Sequence, residues 1–318
     1  MIPVHNEAEN VGHLVERIRA AMAPEAGRWA TEILFVDDGS SDGTLARIEE
    51  LRTAGEPVGY LQLSRNFGHQ AAIAAGLAHA EGDVVVTMDG DLQHPPEELP
   101  RMLGEFDRGA DVVQMVRADP TSGSKGFFSL WFYRVFNRIS DTRLVPNASD
   151  FRLLSRQVVE VILHIPERQK LLRGLVPGLG FRQVQLEFDE PARLHGTPTY
   201  SFWSSLRLAE KALFHHSAAP LKGVYYIGLI LAVTAFLSGL GHVVRKLLYW
   251  DDVVPGFTDI ITAIFFLGGC ILVALGIVGH YQLIILEQLR GRPSWIVERR
   301  ARPAPGASVA PVDRPRVS

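Results

Sequence analysis

A short β-branched run, Val84-Val85-Val86, leads into Asp89-Gly90-Asp91 and then into the double proline Pro95-Pro96. No other stretch restricts the fold as tightly. The valines read as a buried strand, and the prolines followed by Glu97 and Glu98 read as a helix start. Two carboxylates separated by one glycine therefore stand at the carboxyl end of a buried strand, where open α/β sheets bind their ligands. Gly90 permits a tight turn between them. Like charges at this spacing repel. A hard divalent cation, Mg²⁺ or Mn²⁺, relieves the repulsion and keeps positions open for diphosphate oxygens. Taken alone, Asp-Gly-Asp reads equally well as a polar turn.

The surrounding chain decides between those readings. Ile33–Val36, Gly59–Leu63, Val84–Val86 and Val112–Met115 read as strands, and Val11–Met22, Thr44–Thr53, Gln70–Ala80 and Glu97–Asp107 carry helical spacing. Such alternation predicts an α/β fold, a mostly parallel sheet with helices on both faces. The first strand is short, with only Ile2-Pro3-Val4 before the polar His5-Asn6-Glu7, as expected of a missing amino-terminal piece or a late start site. The second strand ends in Asp37-Asp38-Gly39-Ser40-Ser41-Asp42-Gly43-Thr44. Ser41 or Asp42 suits a helix cap, which leaves Asp37 and Asp38 to accept hydrogen bonds from a nucleoside base and ribose. Ser64–Gln70, after the third strand, brings a cation and amides to the same edge and reads equally well as an ordinary connecting loop.

Charge and apolar patterning narrow the class of partner. The net charge of −3 gives no reason to expect nucleic acid. The single cysteine, Cys270, lies in an apolar run and excludes an internal disulfide. Val224–Val244 and Ile260–Leu286 contain no formal charge, and each reaches the ~20 residues that span a hydrocarbon core. They predict two membrane helices, over about 224–247 and 258–286, joined by a loop carrying Asp251 and Asp252. Two buried core helices are the alternative, against which the lengths argue. Arg290, Arg292, Arg299 and Arg300 outweigh Arg245 and Lys246, so the positive-inside rule puts both termini in the cytoplasm. Gly123–Ser140, rich in aromatic and cationic side chains, suits an interfacial helix. Phe202–His216 is an amphipathic pattern leading toward the membrane. The expected organisation is a catalytic domain over 1–200, a juxtamembrane helix over 201–220, two spans over 221–289 and a basic, disordered tail over 290–318.

Three further segments carry chemistry. Asp150 and Arg152 precede a helical pattern, where Asp150 also suits a cap. Arg168 and Arg173 lie within two helical turns and suit a phosphate, although a solvated face is the ordinary reading. Arg193–Tyr200 is a polar Gly/Pro-bearing loop of the kind that folds over a ligand.

Together, Pro3–Glu7, Val36–Thr44, Asp89–Pro96 and Ser149–Leu153, in this order and followed by paired spans, resemble the family 2 glycosyltransferases that load a sugar onto a polyprenyl phosphate. That group includes dolichol-phosphate mannose synthase and the bacterial undecaprenyl-phosphate glucosyltransferases. The paired spans look closer to the latter. The resemblance covers roughly residues 1–295 and implies a GT-A, Rossmann-like fold. It further implies inverting, metal-dependent transfer of one hexose, glucose-like, from a UDP-sugar to undecaprenyl phosphate. The setting it implies is the cytoplasmic face of the inner membrane, in a multi-pass protein whose anchor suits association with a second copy.

On the resemblance, Asp89, Asp91 and Gln93 match the metal motif, and Pro3, Glu7, Asp37, Asp38 and Asp89 the nucleotide-sugar contacts. Asp150 matches the acid described as base or acceptor-site residue, with Asp91 beside it in catalysis. Arg117, Arg152, Arg168, Arg173 and Arg193 match phosphate-handling positions. His94 stands where many relatives carry an acid, and Thr199 where lysine is common. The alternatives are a GDP-mannose enzyme of the dolichol type and a non-catalytic membrane scaffold. A processive synthase is disfavoured, because the chain has no Gln-x-x-Arg-Trp motif.

Overall fold

The structure is a computed structural model that describes residues 1–118, 148–167, 170, 172–189, 219–248 and 257–303. Two compact units emerge, one built from the amino-terminal part plus residues from Pro293 onward, the other containing Tyr200–Arg292.

In the first unit the predicted alternation is present. Strands β1 (Ile2–Val4), β2 (Ile33–Asp37), β3 (Val58–Leu63), β4 (Val84–Thr87) and β5 (Val112–Arg117) alternate with helices α1 (Ala8–Met22), α2 (Thr44–Thr53), α3 (His69–His79) and α4 (Leu99–Asp107). After these come β6 (Ala148–Ser155), α5 (Arg156–His164), the single turn α6 (Leu172–Leu175) and β7 (Gln183–Phe188). Helices cover both faces, as the β2 side chains show. Phe35 packs with Val11, Leu14, Val15 and Ile18 of α1, and its neighbour Val36 packs with Ile73 and Leu77 of α3 and with Val158 and Ile162 of α5. Successive strand residues point to opposite faces, so one strand feeds both cores.

The expectation of a mostly parallel sheet is corrected. With β8 (Val297–Ala301) the strands form two four-stranded sheets, β1-β2-β3-β8 and β4-β6-β5-β7. Pairs β1/β2, β2/β3 and β5/β7 are parallel, whereas β4/β6, β5/β6 and β3/β8 are antiparallel. The cause is β6, which enters antiparallel between β4 and β5. Asp150 accordingly lies inside a strand and does not cap a helix. The cap of α5 is Ser155, whose side chain accepts from the Val158 amide at 3.4 Å. A second correction concerns the tail. Residues Val297–Ala301 form β8, paired with β3, where disorder was expected from residue 290 onward.

In the second unit α7 (Ala219–Leu248) and α8 (Phe257–Leu289) are long helices. Among the described residues one segment, Phe266–Leu286, is long and apolar enough to cross a membrane, and none of its most apolar stretch is buried within the protein. Leu272, Val273 and Leu275 on α8 are all exposed. This disfavours the buried-core alternative for that segment. The predicted interfacial patterns at 123–140 and 202–216, the loop at 249–256 and the tail after 303 lie outside the described residues.

Candidate active site

The carboxyl ends of β1, β2 and β4 converge with the middle of β6, and the side chains there form a row of acids. β4 carries the Val84–Val86 run and stops at Thr87. Gly90 then passes so close to β1 that a Cβ would stand 2.8 Å from Val4 Cγ1 and 3.3 Å from the Pro3 carbonyl oxygen. Leu92 adopts a left-handed φ of 63° and is nevertheless buried. A branched, apolar residue in that region is strained and is held by its packing. The Gln93 amide donates to Asp91 Oδ1 at 3.2 Å, closing the turn. Pro96–Glu98 form a 3-10 turn leading into α4, as the double proline predicts.

Four carboxylates interact along this row. Burial raises the pKa of Glu7, lowered in part by the Asn10 side chain and raised further by the Asp91 charge. Burial pushes Asp89 up to about 6, with His69 pulling it down and the Asp150 and Asp91 charges adding to the rise. Asp89 Oδ1 is buried without a hydrogen-bond partner. His69 Nε2 stands 3.3 Å from that oxygen without hydrogen-bond alignment, and 3.5 Å from Asp150 Oδ2.

Asp150 has the opposite balance. Burial would raise its pKa, but the His69 hydrogen bond and the Arg173 and Arg152 charges outweigh burial and hold it well below the usual carboxylate range. Arg173 donates from Nε at 3.1 Å and Nη2 at 2.8 Å, one nitrogen to each carboxylate oxygen. From below, the fully buried Arg152 donates Nη2 to Oδ1 at 2.9 Å. Gln70 adds a bond to Oδ2 at 3.3 Å. The backbone of this strand is pinned as well. Thr87 donates its hydroxyl to the Asp150 carbonyl at 2.5 Å. Gln114, buried where β5 and β6 shift register, donates to the Ser149 carbonyl at 2.7 Å.

The other edge of the row is built from β2 and the loop after β3. Asp37 is fully buried; Oδ1 accepts from the Ser40 amide at 3.0 Å, while Oδ2 is buried without a partner. Asp38 is used differently, because its two oxygens accept from the Phe67 and Gly68 amides at 2.7 and 2.9 Å. The paired acids thus divide into one with a buried, unpaired oxygen and one that anchors Ser64–Gln70. Asp42 accepts from the Thr44 amide at 2.9 Å, but the N-cap position of α2 is Gly43 rather than Ser41 or Asp42, so the expected cap is corrected. His5 Nδ1 donates to the Asp38 carbonyl at 3.0 Å, which leaves Nε2 to accept from Asn66 at 3.3 Å.

Glu7, Asp37, Asp89, Asp91, Asp150, Arg152 and Arg173 are thus brought to one region. Pro3 is a buried residue of β1 paired with Val36. Arg117 ends β5, and its charge adds to burial in lowering the pKa of His94. Arg168 and Arg193 lie outside the described residues. Sequence reading missed His69, Gln70 and Gln114 as site builders. His69 and Gln70 lay in a loop already marked as sharing the sheet edge, and that proximity was the available signal.

No three His, Cys, Asp or Glu side chains form a ready metal cage among the described residues. Mg²⁺ and Mn²⁺ sites in phosphoryl chemistry commonly use one or two carboxylates and complete the shell with substrate phosphates and water. Asp89, with a buried orphan oxygen, and Asp91 beside it fit that arrangement.

Comparison with known proteins agrees with this geometry. The Glycosyl transferase family 2 profile matches residues 1–163. A bactoprenol glucosyl transferase of Shigella phage SfII is 34% identical over 96% of this chain and 98% of its own. An Escherichia coli K12 prophage bactoprenol glucosyl transferase homolog is 33% identical over 94% and 97%, and an uncharacterized Synechocystis glycosyltransferase is 33% identical over 93% of both chains. Among solved structures, glucosyl-3-phosphoglycerate synthase from Mycobacterium tuberculosis aligns with a TM-score of 0.42 and 18% identity, over 67% of this chain and 75% of that one. That likeness is too distant to carry chemistry across. With its mixed α/β fold of GT-A type and its row of acids at the sheet edge, the chain belongs to glycosyl transferase family 2.

Proposed function

We propose that the protein transfers a single hexosyl group, glucose-like, from a UDP-sugar to a polyprenyl phosphate, with inversion, at the cytoplasmic face of a membrane that α7 and α8 both span. The observation that carries the reading is Asp150, held ionised by two guanidinium groups beside Asp89 and its orphan oxygen. Similarity over nearly the whole chain to proteins named bactoprenol glucosyl transferase supports the lipid acceptor. The exposed apolar surface of α8 supports the membrane setting.

The acceptor needs little help in losing a proton, since a phosphate monoester is largely dianionic near neutral pH, its second pKa being about 6. A phosphate oxygen attacks the anomeric carbon as the bond to the nucleoside diphosphate breaks on the opposite face. A divalent cation at Asp89 and Asp91 would supply neutralisation of the departing diphosphate's charge. Asp150, with so low a pKa, is a poor proton acceptor. Its role is to hold Arg173 and His69 in place, and Arg173, nearly half exposed, is aligned to receive an acceptor phosphate. Asp37 Oδ2 is left to accept an N–H from the base.

The test is to incubate membranes containing the protein with labelled nucleotide sugars and undecaprenyl phosphate, then identify the lipid product by mass. A polyprenyl-phosphate hexose is expected with UDP-glucose. Absence of a glycolipid with every nucleotide sugar overturns the reading.

A further inference from the structure

His94 is a side chain that bonds to both the acidic turn and the strand of Asp150. It is 1% exposed. The Asp89 amide reaches its Nδ1 at 2.8 Å. An amide can only donate, so Nδ1 accepts and the ring proton is on Nε2. Nε2 lies 2.5 Å from Ser149 Oγ, and that hydroxyl oxygen also accepts from the Phe151 amide at 3.2 Å. The ring is stacked on Phe151, with centroids 5.1 Å apart, and Phe188 meets it edge-on at 6.1 Å. Its orientation is thereby fixed by two hydrogen bonds and two aromatic contacts. The residues on its two sides, Asp89 and Ser149-Asp150, carry the cation-binding and arginine-clamped carboxylates.

We propose that His94 is a positioning residue: a neutral imidazole strut that sets the spacing between the Asp89 turn and the Asp150 strand, and so tunes how well Asp89 holds a divalent cation. The inference rests on the reading of Asp89 as a cation ligand. An acid at this position could accept from the Asp89 amide. An ionised acid would have to take the Ser149 hydroxyl as a donor as well, whereas the ring donates to Ser149 and adds the Phe151 and Phe188 contacts that fix its orientation. Loss of an outer-shell partner typically weakens metal binding by about 10–100-fold.

The test is a Mn²⁺ titration of the full-length protein in detergent, with and without UDP, followed by electron paramagnetic resonance of free Mn²⁺. His94→Phe keeps the stacking and loses both bonds, and is expected to weaken Mn²⁺ binding about 10-fold. His94→Asn can place an amide oxygen near the Nδ1 position and should fall between wild type and His94→Phe. Ser149→Ala should weaken binding about 3-fold, the size of one hydrogen bond. The Ser149→Ala change should add nothing on top of His94→Phe, because the strut is then already broken. Unchanged Mn²⁺ affinity in a folded His94→Phe protein, or additive effects of the two changes, overturns the proposal. If His94→Phe does not fold, unchanged affinity in Ser149→Ala overturns it equally. A wild-type protein that binds no Mn²⁺ refutes the cation role of Asp89 itself, whereas binding in wild type with indifferent variants refutes the strut alone.

Discussion

Asp89 and Asp150 are chemically the same side chain, and their surroundings push them in opposite directions. Asp89 is pushed up chiefly by burial, with the Asp150 and Asp91 charges adding to the rise, and its Oδ1 has no hydrogen-bond partner, so its neutral form gains. Asp150 is clamped by Arg152 and Arg173, so its charged form gains. Replacing Asp150 with Asn leaves the buried Arg152 uncompensated and should cost about 3–5 kcal/mol of stability, read by denaturant unfolding of the catalytic unit. The pH dependence has a definite sign. A carboxylate whose folded pKa is depressed contributes stability above its unfolded value of about 3.9, lost as pH falls toward the folded value. The gap between wild type and Asp150→Asn should therefore be full near neutral pH and shrink below about pH 4; a gap that widens on acidification contradicts the assignment. Arg173, by contrast, is nearly half exposed, so Arg173→Ala should change stability by no more than ~1 kcal/mol. Its expected effect is a higher KM for the polyprenyl phosphate with the donor KM little changed. Asp91→Ala should abolish sugar transfer while the melting profile stays near wild type.

At the scale of elements, the acidic turn depends on close approach. Gly90→Ala drives a methyl group into Val4 and the Pro3 carbonyl and should cost about 1–3 kcal/mol, the usual range for overpacking. Transfer activity should fall with it, because the turn carrying Asp89 and Asp91 has to move. The helices and first strands were readable in advance: Thr44–Thr53 has the observed bounds of α2, and Val84–Val86 lies within β4. Their periodicity is a local property. β6 was not readable, because Ser149-Asp150-Phe151-Arg152 alternates too little to declare a strand and its direction is set by partners on both sides. β8 was hidden for a related reason. Val297–Ala301 is short and charged, and it pairs with a strand more than 200 residues earlier. Gly59 allows that pairing, since a Cβ there would stand 2.9 Å from the Ala301 carbonyl oxygen. Gly59→Val should displace β8, which amide hydrogen exchange at Ser64, whose amide donates to the Ile296 carbonyl at 3.0 Å, would register as faster exchange.

For the whole molecule, the apolar surface of α8 has no partner among the described residues that would bury it, and lipid is the solvent that suits it. Leu275→Arg, at an exposed position in the middle of that segment, should raise the cost of insertion by about 2.5–3.5 kcal/mol. Fractionation of cells should then show protein lost from the membrane pellet; undiminished membrane recovery would count against a spanning role for α8.

Strand and helix order, the acids at strand ends, and the long apolar stretches were determined by the amino-acid sequence alone, because each depends on composition and spacing within a few residues. Tertiary structure decided which of those acids carry unpaired oxygens. Asp38 is consumed by the Phe67 and Gly68 amides while Asp37 keeps one oxygen unpaired. It also decided that His69 and Asp150, some eighty residues apart, meet. A hydrogen bond or a shifted pKa depends on what the fold brings within a few ångströms, and neighbours so distant along the chain leave no periodic trace in it.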